Sequence, residues 1–129
     1  MIKVKEIMSK NPVKIEAVKT VRDACALMTQ LKLGSLMVCK EKEIIGILEE
    51  SDFIRNVLAK DLNPYVTKVE RIMSVLYAID EDKTDDEASE MMSRHNVRHL
   101  AVTCHSDIAG IISMLDLIRP VYSGKSFWA

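Results

Sequence analysis

Most of this chain is one stretch of sequence written twice, and a duplication of this kind restricts the fold to two like units. Ile7-Met8-Ser9 recurs as Ile72-Met73-Ser74, 65 residues further on. One residue is then lost and the spacing becomes 64, under which Ile15 matches Ile79, Thr20 matches Thr84, Ala24 matches Ala88 and Met28 matches Met92. Leu36 and Val38 match Leu100 and Val102, and Gly46-Ile47 matches Gly110-Ile111. Asp52-Phe53-Ile54-Arg55 matches Asp116-Leu117-Ile118-Arg119. One offset with one gap aligns all of these positions.

Each copy reads alike locally. A short strand at 13–15 precedes a helix that opens at Thr20, whose hydroxyl is placed to cap the first turn while Asp23 sits near the positive helix end. Thr84 with Glu87 repeats this as a capping box. Val21, Ala24, Met28 and Leu31 recur at three- and four-residue spacing and build one apolar stripe. Ser35-Leu36-Met37-Val38-Cys39 and Ile44-Ile45-Gly46-Ile47-Leu48 are apolar runs of strand length joined by the charged turn Lys40-Glu41-Lys42-Glu43, which reads as a hairpin. Apolar residues at successive positions predict burial on both faces. A last helix starts near Glu50, and the second copy repeats the set as strands 99–103 and 108–113 and helix 114–121. The order in each copy is β-α-β-β-α, an α/β (α+β) fold.

The expected division is 1–62 for the first copy and 63–129 for the second, with a short C-terminal tail, turning at Asp61-Leu62-Asn63-Pro64 because proline denies Asn63 helical geometry. About 60 residues bury too little surface to stand comfortably alone. The two copies are therefore expected to pack sheet to sheet with pseudo-twofold symmetry, as one module. The acidic stretch from Asp80 to Glu87 reads as a solvated loop and helix start.

Several functions are not expected. A net charge of −1 over 129 residues gives no bulk attraction to nucleic acid or to acidic membranes, and no basic stripe with interleaved aromatics is present. No apolar run approaches the roughly 20 residues of a membrane span, and residues 1–6 lack the apolar core of a signal peptide, so a cytoplasmic setting is the default. Cys25, Cys39 and Cys104 have no CxxC spacing and read as small core hydrophobes. His95, His99 and His105 form no HExxH motif. Cys104-His105 does not read as a metal pair, because neighbours on a strand point to opposite faces. Without a Gly-rich phosphate loop or a GxSxG elbow, catalysis is not expected.

The ordered set resembles a pair of cystathionine-β-synthase-type (CBS) domains. Val4-Lys5-Glu6-Ile7-Met8-Ser9 and Val69-Glu70-Arg71-Ile72-Met73-Ser74 fit that family's opening motif. Gly110-Ile111-Ile112-Ser113-Met114-Leu115-Asp116-Leu117 fits its closing motif, and Gly46-Ile47-Leu48-Glu49-Glu50-Ser51-Asp52-Phe53 fits it in part. The resemblance covers residues 4 to 121. It implies a regulatory module, not an enzyme, with one cleft per copy for an adenosine-containing ligand: AMP, ADP or ATP, with S-adenosylmethionine or NAD as further options. It implies no required cofactor, a homodimer, and an unidentified regulated protein.

Carried over by position, the resemblance makes Asp116 the acceptor of ribose hydroxyls and Ser113 a support for the ribose or first phosphate. Asp116 read alone is a helix cap, and it is Ser113 with the preceding strand that turns the reading to ribose. Arg98 and His99, just ahead of the run at Leu100, are the implied phosphate contacts; the guanidinium fork suits that task. Adenine is implied to lie near the first strand of a copy, which brings in Ile79. In the first copy Asp52 is kept, Glu49 replaces the Ser or Thr, and Gly34-Ser35 replaces Arg-His, leaving Ser35 a single donor. A carboxylate at Glu49 repels phosphate. This cleft is thus weak, suited to a less negative ligand, or empty, with Asp52 a plain cap. The alternative for the whole chain is a ligand-free dimerisation or interaction module. The tail Lys125-Ser126-Phe127-Trp128-Ala129 reads as disordered or docked on a dimer mate.

Overall fold

The computed structural model describes residues 1–122, with side chains through Ile118. The Phe127-Trp128 tail lies outside the described residues. The chain is mixed α/β with two sheets. In order come a short 3-10 turn at Val4–Glu6, β1 (Ser9–Lys10), β2 (Lys14–Glu16), α1 (Val21–Leu31), β3 (Ser35–Lys40) and β4 (Glu43–Glu49). Next are α2 (Glu50–Phe53), which widens into a π-turn over Ile54–Leu58, and α3 (Val69–Ile72). The second copy supplies β5 (Ala78–Asp80), α4 (Asp85–His95), β6 (His99–Cys104), β7 (Asp107–Ser113) and α5 (Met114–Tyr122). The repeated β-α-β-β-α order is as expected.

Local chemistry accounts for the elements. Thr20 Oγ1 accepts from the Asp23 N–H at 3.1 Å while Asp23 Oδ2 accepts from the Thr20 N–H at 3.0 Å, a reciprocal box that starts α1. Thr84 Oγ1 accepts from the Glu87 N–H at 3.2 Å and starts α4. Both helices end on a left-handed residue, Lys32 at φ 56° and Asn96 at φ 53°. The hairpin turns carry positive φ at both central residues, Glu41 and Lys42 in one and His105 and Ser106 in the other, which matches the twist of the flanking strands. His105 therefore lies in a turn and not on the strand beside Cys104, a correction to the sequence reading.

The chain divides into two compact units: a continuous one, Val13–Leu76, and a split one made of Met1–Pro12 and the chain from Tyr77 onward. In the continuous unit the sheet order is β2-β3-β4, with β2 parallel to β3 and β3 antiparallel to β4. Ile15, Val21, Ala24, Met28, Leu36, Val38, Leu48, Val57, Val69 and Ile72 form its core. In the split unit the order is β1-β7-β6-β5, and Val4, Ile79, Ala88, Met92, Leu100, Val102 and Ile112 form the core. Leu36, Met37, Val38 and Cys39 are all buried in succession, as the unbroken apolar run predicted.

The opening motif of each copy is seated within the unit built from the other copy's body. Ser9 and Lys10 pair with Ile111 and Gly110, and Ser74 bridges to Ile47, exchanging hydrogen bonds of 2.8 and 3.0 Å. The hydrogen bonds Val4 N to Lys83 O (2.8 Å) and Asp85 N to Ile2 O (2.8 Å) have counterparts in Val69 N to Lys19 O (2.8 Å) and Val21 N to Thr67 O (2.9 Å). Gly46 and Gly110 make these seats possible. A methyl group on Gly46 would stand 2.6 Å from Met73 Sδ, and one on Gly110 would stand 2.5 Å from the Ser9 carbonyl oxygen. Only a residue without Cβ admits such an approach.

Candidate functional site

The antiparallel ladder of β6 and β7 fixes most of the candidate site in the split unit. His99 lies directly opposite Ser113, so the two side chains share one face at the end of the hairpin. Leu100, the next residue, turns to the other face and enters the core. Ser113 ends β7 and α5 begins at Met114. The Met114 N–H donates to the Arg98 carbonyl at 2.9 Å, which holds Arg98 beside the helix N-terminus. Arg98 is exposed, while His99, Ser113 and Asp116 are half-buried.

Asp116 Oδ2 accepts from the Ser113 N–H at 2.8 Å and from Ser113 Oγ at 3.1 Å; the Asp116 N–H donates back to Ser113 Oγ at 3.3 Å. Ser113 and Asp116 thus form a reciprocal cap of α5. The fold brings four of the candidates together: Arg98, His99, Ser113 and Asp116. The Ser113 hydroxyl and the Asp116 carboxylate stand at the N-terminus of α5, with the Arg98 backbone beside it and His99 across the ladder from Ser113, and a helix N-terminus favours an anion.

Ile79 is placed differently. It is 4% exposed at the centre of β5, opposite Val102 and inside the core. Its side chain therefore lies on the sheet face away from His99 and Ser113. Among the described residues β5 is the edge of its sheet.

In the continuous unit the same ladder sets Ser35 opposite Glu49. Asp52 is 5% exposed. Its Oδ2 accepts from the Glu49 N–H at 2.8 Å, and its Oδ1 accepts from Ser74 Oγ at 2.6 Å and Asn56 Nδ2 at 3.3 Å. Asn56 also donates to the Ile72 carbonyl at 3.3 Å. Sequence reasoning passed over Ser74 and Asn56. The available signal was that Asn56 follows Asp52 by four residues, the spacing at which helical side chains meet.

Cys39 is buried and Cys25 is half-buried against the core, whereas Cys104 is half-buried outside either core cluster, which corrects its reading as a core residue. Burial pushes Cys25 and Cys39 above the ordinary thiol pKa, and a hydrogen bond from the Cys104 thiol to Glu81 raises Cys104. None is activated as a thiolate at neutral pH. Among the described residues no group of three or more His, Cys, Asp or Glu side chains could hold a metal ion. No helix among them is long and apolar enough to cross a membrane.

A family model for the CBS domain matches the chain twice, at residues 4–59 and 69–123. The mitochondrial CBS domain-containing protein CBSX3 of Arabidopsis thaliana is 31% identical over 108 residues, spanning 79% of this chain and 52% of that protein. The chain thus covers about half the length of that relative. Among solved structures, a CBS-domain protein of Burkholderia ambifaria, whose proposed role is signal transduction, superimposes with a TM-score of 0.89 at 29% identity, covering 97% of each chain. A hexameric CBS-CP12 protein from bloom-forming cyanobacteria gives 0.83 at 26% identity, over 98% of this chain and 78% of its own.

Proposed function

This chain belongs to the CBS-domain family as a tandem pair, and from that premise we propose that it is a regulatory module that senses an adenosine-containing nucleotide. AMP, ADP or ATP fits better than S-adenosylmethionine, because Arg98 offers a guanidinium to a phosphate. The observation that carries this reading is the convergence of Arg98, His99, Ser113 and Asp116 on the N-terminus of α5. Asp116 would accept the ribose hydroxyls and Ser113 would support the ribose or first phosphate. Arg98, with His99, would meet the phosphates through charge-assisted hydrogen bonds. Adenine would lie along the edge of β5. Free adenine nucleotide suits a cytoplasmic setting.

Binding would act on a partner protein by shifting the module's conformational equilibrium, since a ligand moves that equilibrium only by its differential affinity for the two states. Self-association as a homodimer is part of the proposal. Ile54 and Leu58 on the helical stretch after β4 are 61% and 71% exposed, and Leu115 on α5 is 61% exposed; such apolar positions fit an interface.

The second reading is a ligand-free interaction module, favoured by the complete internal pairing of Asp52. A thermal-shift series with AMP, ADP, ATP, S-adenosylmethionine and NAD at about 1 mM separates the two, because a ligand at 100 times its Kd stabilises by about 2.7 kcal/mol. A rise in melting temperature with an adenine nucleotide is expected. No rise with any of the five favours the interaction module.

A further inference from the structure

Resting on the nucleotide reading above, we infer that Ser74 takes, at Asp52, the place of a ligand hydroxyl, and thereby closes the continuous unit's carboxylate to ligand. In both units one carboxylate oxygen performs the same capping task. Asp52 Oδ2 accepts from the Glu49 N–H and Asp116 Oδ2 from the Ser113 N–H, each at 2.8 Å. The cap thus assigns Oδ1 of Asp52 to other donors, and the protein supplies them from its own chain. Ser74 Oγ donates at 2.6 Å, within the range of a strong hydroxyl-to-carboxylate bond. Asn56 adds a bond of 3.3 Å. A serine hydroxyl on this oxygen is chemically what a sugar hydroxyl would be.

The hydroxyl is separable from the seat of the residue that carries it. Ser74 is held by its backbone, through the two hydrogen bonds with Ile47. Met73, before it, lies against Gly46, where a methyl group would come within 2.6 Å of its sulfur. Removing Oγ leaves these contacts in place and frees one acceptor position on Oδ1. Asn56 keeps its second acceptor, the Ile72 carbonyl, when Oδ1 is shared with a new donor.

The chemistry also sets the class of ligand. At the mouth of this unit Ser35 faces Glu49 across the ladder, with Gly34 before it, where the split unit has Arg98 and His99. An uncharged nucleoside suits this site and a nucleotide does not. Adenosine is therefore the probe.

Calorimetric titration of the whole protein with millimolar adenosine gives the stoichiometry. One site per chain is expected in the natural protein, two in Ser74→Ala, and one again in Ser74→Ala/Asp52→Asn. If Ser74→Ala does not fold, Ser74→Cys exchanges a strong donor for a weak one at similar size and is expected to act in the same direction. One site in both the natural protein and Ser74→Ala overturns the inference and leaves the nucleotide reading standing. Two sites in the natural protein overturn it as well. No binding to any form defeats both. Binding only after Ser74→Ala, lost again with Asp52→Asn, supports the inference and defeats the assignment of the ligand to the split unit.

Discussion

The Ser9 carbonyl oxygen lies so close to Gly110 that a methyl group there would stand 2.5 Å away, with Met8 Sδ at 2.8 Å. The first ten residues are thereby joined to a strand a hundred residues later, with Gly110 admitting the close approach. Gly110→Ala is expected to destabilise the protein by about 1–3 kcal/mol, the usual cost of overpacking. Gly34→Ala is the control. Its methyl would make only ordinary contact, 3.4 Å from Glu50 Oε1, so stability should stay level or rise by up to about 1 kcal/mol. Urea unfolding of the two variants checks both, and equal midpoints would deny the close approach any energetic role.

The same N-terminal segment is tied by charge. Lys5 Nζ lies 3.0 Å and Lys3 Nζ 3.5 Å from Asp82 Oδ1. The hydrogen bond from Lys5, and then its charge, hold the Asp82 carboxyl below the usual range; the same bond raises Lys5 above its ordinary value. Asp82 therefore contributes stability that is present above about pH 3.9 and is lost as pH falls through its depressed folded value. Lys5 contributes stability that is present below about pH 10.4 and is lost as pH rises through its raised folded value. Lys3→Met/Lys5→Met should lose less stability on acidification from about pH 4 to pH 2 than the natural protein loses. These groups are exposed, so about 1 M salt should shrink the difference. Chemical unfolding at several pH values, with and without salt, measures it.

Arg98 offers a separate check on the phosphate. Arg98→Ala removes a guanidinium while leaving the backbone carbonyl that receives the Met114 N–H. A charge-assisted hydrogen bond contributes about 1.5–3 kcal/mol, so AMP affinity should fall roughly 10- to 100-fold. Adenosine affinity should scarcely change. Equal losses for the two ligands would mean that Arg98 does not meet the phosphate.

The elements were legible in the sequence because each rests on local chemistry: caps at Thr20 and Thr84, apolar stripes, and charged turns between apolar runs. The seating of the opening motifs was not. Aligning repeats pairs each residue with its likeness, Ser9 with Ser74, and not with its neighbour in space, Ile111. A trace of it was nevertheless present. The spacing changes from 65 to 64 between Ser9/Ser74 and Ile15/Ile79, and the chain passes between the units in that same interval, after Pro12 and after Leu76. At the candidate site, Arg98, His99 and Ser113 come together through strand register, which the hairpin spacing encodes. Ser74 reaches Asp52 across 22 residues, for which no local pattern exists, whereas Asn56 lies four residues after Asp52, a spacing at which helical side chains meet.

The proposed nucleotide site lies at Asp116 and not at Asp52. Calorimetric titration of AMP into the natural protein, Asp116→Asn and Asp52→Asn tests it most directly, because asparagine keeps an oxygen for the cap at either position. One AMP per chain is expected in the natural protein, with little change in Asp52→Asn and roughly 10- to 100-fold weaker binding in Asp116→Asn. Unchanged affinity in Asp116→Asn, or a loss confined to Asp52→Asn, would contradict it.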